Sequence, residues 1–307
     1  MDELTVVREL RADAPVGAPD AARQTLMDAM TPSMGVRRSR GRWPAAAAAV
    51  AAVVVTALVV QTGPAASPSA AAVLGRAAAA AASDPVPRPR DDQWVFRTMY
   101  GGATEGGVRL IPGEAWDRFD GTQFANAPSD HPEQLHVMDI EVDPRIPSAA
   151  AWYDAATRWP HEPEALLAAL RDSGLVVAEG GSEAVRNYDA VVDALGQPVL
   201  PAQARADLFR ALATIPGVTV DDEADPDLLG DPVLAVVLDG APDAAGFDNR
   251  RELLLDPQTY AYRGERVTAL EDAPIDGKKG SDPKAGQTWF ESTETDPVVV
   301  DRAGQRG

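Results

Sequence analysis

Arg37-Arg38-Ser39-Arg40-Gly41-Arg42-Trp43-Pro44 is followed by a run from Ala45 to Val60 that holds no charge and a single polar residue, Thr56. The run is 16 residues long, about 25 Å as a helix rising roughly 1.5 Å per residue. It bridges a hydrocarbon layer of about 30 Å when Trp43 and Gln61-Thr62 sit in the two interfaces. Six valines and Leu58, at roughly −0.3 to −0.6 kcal/mol each, favour insertion by about 3 kcal/mol. Four arginines precede the run and the first basic residue after it is Arg76, so the positive-inside rule holds the N-terminus in the cytoplasm. A buried core helix would carry a polar face. A cleaved signal peptide seldom has a leader of 43 residues, and Arg37-Arg38 lacks the hydrophobic pair that would follow in a twin-arginine signal.

The chain is therefore read as a single-pass cell-membrane protein. Its expected parts are a cytoplasmic segment at 1–43, a transmembrane helix at 44–62, a linker with a juxtamembrane helix at 63–90, and an extracytoplasmic domain at 91–307.

Charge sharpens the division. Residues 1–60 hold seven Arg and six Asp/Glu, so nearly all of the net −19 belongs to the downstream part, with 21 basic and 41 acidic residues. Such a surface repels nucleic acid and anionic head groups, and no nucleic-acid partner is expected. The chain has no cysteine, which excludes disulfides, thiolate metal sites and thiol nucleophiles.

Within 1–43, Leu4, Val6, Val7 and Leu10 in Asp2–Arg11, and Leu26 and Met30 in Ala21–Met30, predict two short amphipathic helices. Each is too short to persist alone, which points to a cytoplasmic protein partner for residues 1–36. Past the span, Ala70–Ala82 is a helix candidate, and Pro85-Val86-Pro87-Arg88-Pro89 is an extended strut. Gln93–Tyr100 reads as a strand, and Gly107–Phe119 and Thr122–Ala125 read as a hairpin closed by Asp120-Gly121. Helices are predicted at Ala149–Trp159, Glu164–Arg171, Glu183–Leu195 and Gln203–Ala213. Strands follow at Val218–Val220, Val233–Leu238, Arg251–Leu255, Tyr260–Ala269 and Gln287–Val300 without βαβ alternation. The fold class expected is α+β: a curved antiparallel sheet with several packed helices behind an N-terminal transmembrane helix.

No catalytic, cofactor-binding or metal site is predicted, and no cofactor. His131, Glu133 and His136 are close in sequence, but the five-residue step between the histidines fits neither a helix face nor alternate strand positions. Asp221-Asp222-Glu223-Ala224-Asp225-Pro226-Asp227 has the carboxylate density of a calcium loop without its glycine or its closing glutamate. Ser281-Asp282-Pro283-Lys284 matches Ser-x-x-Lys in a loop context with no companion motifs. Glu114 and Asp117 could serve as a glycosidase pair, but among 47 acids such spacings arise by chance. Trp94, Phe96, Trp116, Phe119, Trp152, Tyr153 and Trp159 are read as core.

Arg8-Glu9-Leu10-Arg11-Ala12-Asp13-Ala14-Pro15, the Arg-rich anchor, Leu208–Val218, Leu255-Asp256-Pro257-Gln258-Thr259 and the closing Val299-Val300-Asp301 resemble a family of uncharacterised actinobacterial single-pass membrane proteins. The resemblance runs over most of the chain. That family is commonly encoded beside extracytoplasmic-function sigma factors, so the resemblance implies a sensor or regulatory partner of such a factor. The cysteine-free chain does not carry the His-x-x-x-Cys-x-x-Cys motif of zinc-binding anti-sigma domains. The order of helix and long sheet is also similar to the lipoprotein-carrier-like domains of periplasmic stress sensors. Two functions follow as expectations. One is a membrane-anchored sensor or interaction protein with an unknown extracytoplasmic ligand and no enzymatic activity. The other is a tethered extracytoplasmic binding or carrier module for a lipid or envelope component.

Overall fold

Two stretches of strand-forming residues far apart in sequence, Trp94–Gly101 and Thr288–Val300, become neighbours in one antiparallel sheet. The structure, a computed structural model, describes residues 69–306 except 105–106, 109–112, 129–130, 132, 142–146, 174, 176–180, 243–246 and 273–282. The two expected cytoplasmic helices and the 44–62 span lie outside the described residues, as do Ser281 and Asp282. Among the described residues no helix is long and apolar enough to cross a membrane.

The strands are β1 (Trp94–Gly101), β2 (Ala103–Thr104), β3 (Gly107–Val108), β4 (Gly113–Arg118), β5 (Gln123–Pro128), β6 (His136–Asp139), β7 (Val218–Asp221), β8 (Leu234–Pro242), β9 (Asp248–Leu255), β10 (Tyr262–Ala269), β11 (Thr288–Glu294) and β12 (Val298–Val300). The main sheet runs β6-β5-β4-β1-β11-β10-β9-β8-β7, with β12 also paired to β1, and β2-β3 forms a separate ribbon. All its pairings are antiparallel. Five helices lie among the described residues: α1 (Ala70–Ser83), then α2 (Ala149–Ala156), α3 (Pro163–Asp172), α4 (Glu183–Leu195) and α5 (Ala202–Leu212) between β6 and β7. This is an α+β architecture with a large antiparallel sheet, as the strand and helix order implied.

Local chemistry sets the helix starts. Ser69, Ser148 and Ser182 cap α1, α2 and α4 by accepting from the backbone N–H three residues on, and Pro163 opens α3. The step of two along β8 then divides the core. Leu234, Val236 and Leu238 join Leu253 and Leu255 under the helices, whereas Val233, Ala235 and Val237 join Leu254 on the opposite face beside Ala224. Tyr188 of α4 locks the helix to the sheet. Its hydroxyl donates to the Val236 carbonyl at 2.7 Å and accepts from the Leu253 N–H at 2.9 Å.

Three expectations need correction. The juxtamembrane helix expected within 63–90 is part of the domain, because Val73, Leu74, Ala77 and Ala78 of α1 are buried in the main core and α1 packs on α5. The folded unit therefore begins before Asp91. Gln287–Val300 is not one strand: Pro297 has no N–H to give a ladder, and the chain divides into β11 and β12. The β4–β5 hairpin gains a third strand, β6, whose four residues are all exposed and so carry no alternating pattern.

Two glycines make the centre of the sheet feasible. A Cβ on Gly264 (φ +147°) would lie 1.9 Å from the Ser292 carbonyl oxygen, and one on Gly101 (φ +108°) 2.1 Å from that of Glu291. Gly264→Ala is expected to destabilise by roughly 2–5 kcal/mol, through left-handed strain plus a backbone clash. Gly75→Ala, in a helix with open space around the site, is expected to stabilise by up to about 1 kcal/mol. Urea unfolding of the two variants checks the opposite signs.

Candidate functional site

The residues singled out by sequence do not assemble. His131 Nδ1 lies 3.3 Å from Glu133 Oε1 on the surface, and His136 sits on edge strand β6 opposite Asn126. Among the described residues no group of three His, Asp or Glu is placed to hold a metal ion. Glu114 and Asp117 are an odd number of residues apart on β4 and so face opposite sides of the sheet. Glu114 pairs with Arg306, and Asp117 with Arg97 at 3.3 Å. Lys284 pairs with Asp272. Trp94, Trp116, Phe119, Trp152 and Tyr153 are buried.

The acidic 221–227 segment has a structural task. Asp227 Oδ1 accepts from the N–H groups of Leu229 and Asp231 and closes a turn. The carbonyls of Asp225 and Pro226 accept from the Arg266 guanidinium. That guanidinium is buried, at 2.9 Å from Glu291 and 3.6 Å from Glu252. The acidic loop thus covers an ion-pair cluster on the sheet face away from the helices.

On the helix side lies a cavity of about 540 Å³. Several chain elements stop around it. Helix α1 ends at Ser83 and gives way to the proline strut, leaving Ala80 and Ala81 as one wall; their methyl groups are too small to fill the space. The α4 helix ends before Gly196-Gln197-Pro198, with Leu195, Val199 and Leu200 beside it, and Phe209 comes from α5. Opposite stand Tyr260 from the β9–β10 turn and Tyr262 at the start of β10, with Thr295 and Pro297 from the break between β11 and β12 and Val299 from β12.

The β9–β10 turn is built by Asp256. Its Oδ1 accepts from the N–H groups of Gln258 and Thr259 and from the Thr259 hydroxyl. Burial alone would raise this carboxyl, yet those donors hold it below the usual carboxylate range. The turn leaves Tyr260 at φ 59°, the single left-handed non-glycine among the described residues, with its hydroxyl accepting from Arg76 Nε at 2.9 Å. A left-handed residue of this size costs about 1–3 kcal/mol, and the turn holds it there, the Tyr260 N–H donating to the Asp256 carbonyl at 2.9 Å.

Behind Tyr262 the walls turn acidic. Its hydroxyl donates to Glu265 at 3.0 Å, and Glu265 shares a smaller hollow with Asp189 and Asp193 of α4 and with Arg251. Burial is the main cause that lifts Glu265 to about 7, helped by the charges of Asp193 and Asp189. Asp193 rises to about 6, first through burial and then through Asp189. Asp189, 2.7 Å from Arg251, is also raised by burial.

Sequence reasoning placed Phe209, Thr259, Tyr260 and Val299 in helices, turns and strands but nominated none of the cavity residues as a binding site. Pro297 and the Leu255–Thr259 stretch carried the local signals, a strand break and a tight turn, but a hollow left where separate elements end has no sequence motif.

No family model matches the chain, and no curated protein matches it. Among solved structures, the crystal structure of a LolA superfamily protein from Nitrosomonas europaea aligns over 75% of this chain and 94% of that one, with 11% sequence identity and a TM-score of 0.19. At that score the superposition carries no inference about either protein's ligand.

Carboxyls raised in the folded state hold protons that the unfolded chain would release, so stability falls as pH rises from the usual carboxylate value to about 7. The lowered carboxyls of Asp154, Asp256, Asp272 and Asp301 act in the other direction, but only below the usual carboxylate range. The unfolding free energy is therefore expected to be higher at about pH 5.5 than at about pH 8, and Glu265→Gln is expected to shrink the difference by on the order of 1–3 kcal/mol. Thermal unfolding of both proteins across that range is the check.

Proposed function

We propose that the chain is a tethered extracytoplasmic binding or carrier module for an apolar or amphipathic envelope molecule, held at the membrane by the 44–62 span and without catalytic activity of its own. The observation that carries this is the cavity of about 540 Å³ between α1, α4, α5 and the sheet. Small-molecule sites occupy about 300–1,000 Å³ and are mostly apolar, with a few placed polar groups. These walls fit that description: Ala81, Val199, Leu200, Phe209 and Val299 supply the apolar surface, while Tyr260 and Tyr262 supply polar tips.

The protein keeps this surface unfilled at a cost. Closing the space with a larger residue at Ala80 or Ala81 would gain burial worth about 25 cal/mol per Å², and the left-handed Tyr260 is retained in the wall. A hollow maintained in this way favours a ligand over a packing defect. Residues 1–36, through which a sigma factor or other cytoplasmic partner would bind, lie outside the described residues, and no observation favours that reading over a binding module.

The full-length chain, purified from membranes in mild detergent and extracted for mass spectrometry, is expected to carry a discrete envelope lipid in roughly equimolar amount. Ala80→Trp fills the cavity from a half-buried position and is expected to lower that yield by about tenfold or more while the melting temperature stays near wild type. Equal lipid profiles in the two proteins, or nothing above a detergent-only control, would overturn the proposal.

A further inference from the structure

The charged groups around the cavity are unbalanced, and the imbalance narrows the ligand. Asp84, Glu294 and Asp296 border it against one guanidinium on its walls, that of Arg205; Arg76 lies outside the lining and reaches the Tyr260 hydroxyl. Arg205 is already committed. Its Nη2 donates to the Asp84 carbonyl at 2.8 Å and to Asp84 Oδ2 at 3.1 Å, and its Nε, buried without a hydrogen-bond partner, has no accessible surface from which to reach a ligand. Asp84 and Arg205 therefore cancel.

The other two carboxylates are less well matched. Glu294 shares Arg97 with Asp117, at 3.4 and 3.3 Å, so two carboxylates draw on one cation. Asp296 is exposed in the break between β11 and β12. Burial raises the Glu294 carboxyl, and the Asp117 charge adds to this against Arg97; a further cation in the cavity would favour its ionised form. Behind Tyr262, Glu265 adds another acid.

The aromatic walls point the same way. Phe209, Tyr260 and Tyr262 line the space together with these carboxylates, and aromatic faces attract cations, quaternary ammonium groups among them. An anionic head group would instead lose its water beside Glu294 and Asp296, with no free guanidinium on the walls to replace it. The net charge of −19 repels anions before they arrive.

We propose that the cavity takes an amphipathic molecule with an alkyl body and a cationic end, an amine or quaternary ammonium, and discriminates against alkyl carboxylates and phosphates. This rests on the binding-module reading and adds the chemistry of the ligand's polar end.

The absence of cysteine supplies a clean reporter. In the full chain in native membrane vesicles, Ala80→Cys places one thiol on the cavity wall, and Ala71→Cys, on the exposed face of the same helix, serves as control. Dodecyltrimethylammonium and dodecanoate are compared at equal concentration for their effect on the rate of maleimide labelling. The cation is expected to slow labelling at position 80 by about tenfold or more and dodecanoate by less than about twofold, with position 71 unaffected by either; tenfold corresponds to about 1.4 kcal/mol of preference. Asp296→Asn, at an exposed position, is expected to narrow the gap, and Glu294→Gln to narrow it further. Equal or stronger protection by dodecanoate overturns the cationic end and leaves the binding module standing. Protection by neither probe overturns both.

Discussion

Strand β1 holds three partners, and the rest of the sheet depends on it. Along one edge it pairs with β4 from Trp94 to Met99; along the other it pairs first with β12 at Trp94–Phe96 and then with β11 at Met99–Gly101. The β4-β5-β6 and β11-β10-β9-β8-β7 halves meet only across it in the described sheet. Closing this joint brings together residues almost 200 positions apart, an entropic cost that local hairpins do not carry. Glycine is required at Gly101 and Gly264 because the β10, β11 and β1 backbones crowd at the crossing.

The joint also makes the cavity. Between β11 and β12 the ladder cannot continue through Pro297, and Thr295 substitutes for it: its N–H donates to the Thr98 carbonyl and its hydroxyl accepts from the Thr98 N–H, both at 3.0 Å. The interruption leaves Thr295, Asp296 and Pro297 as a wall rather than a strand. Alanine-rich α1 and α5 pack closely above and supply little side-chain volume where α1 runs out. The alanines of these helices are therefore what allows the helix layer to sit tightly in one place and leave space in another.

Acidity is handled differently on the two faces of the sheet. Away from the helices, Arg266 is buried with Glu291 and Glu252 and capped by the carbonyls of Asp225 and Pro226, a satisfied cluster. Buried pairs of this kind contribute modestly to stability, but removing one partner leaves a charge stranded. On the helix side, Asp189, Asp193 and Glu265 gather around Arg251 and remain above the usual carboxylate range. The surplus of carboxyl groups over guanidinium groups thus lies next to the cavity.

Much of the fold was legible because periodicity reports burial. Helix α4 spans Glu183–Leu195 as read from its pattern, and the β7-to-β11 meander follows from strand-forming runs and turn residues. Elements without such a pattern escaped: β6 is exposed throughout, and Val298–Val300 merged with β11 until Pro297 was placed between them. Sequence proximity does not fix facing: Glu114 and Asp117, three residues apart, are separated by the sheet itself. Tyr260, Tyr262 and Val199 meet only in three dimensions. An experimental structure of the full chain purified from its own membranes tests the central claim most directly. The account predicts elongated density in the cavity bounded by Ala80, Val199, Phe209 and Tyr260, with its polar end toward Glu294 and Asp296. A collapsed site, with Phe209 and Tyr262 packed together and no density between helices and sheet, would contradict it.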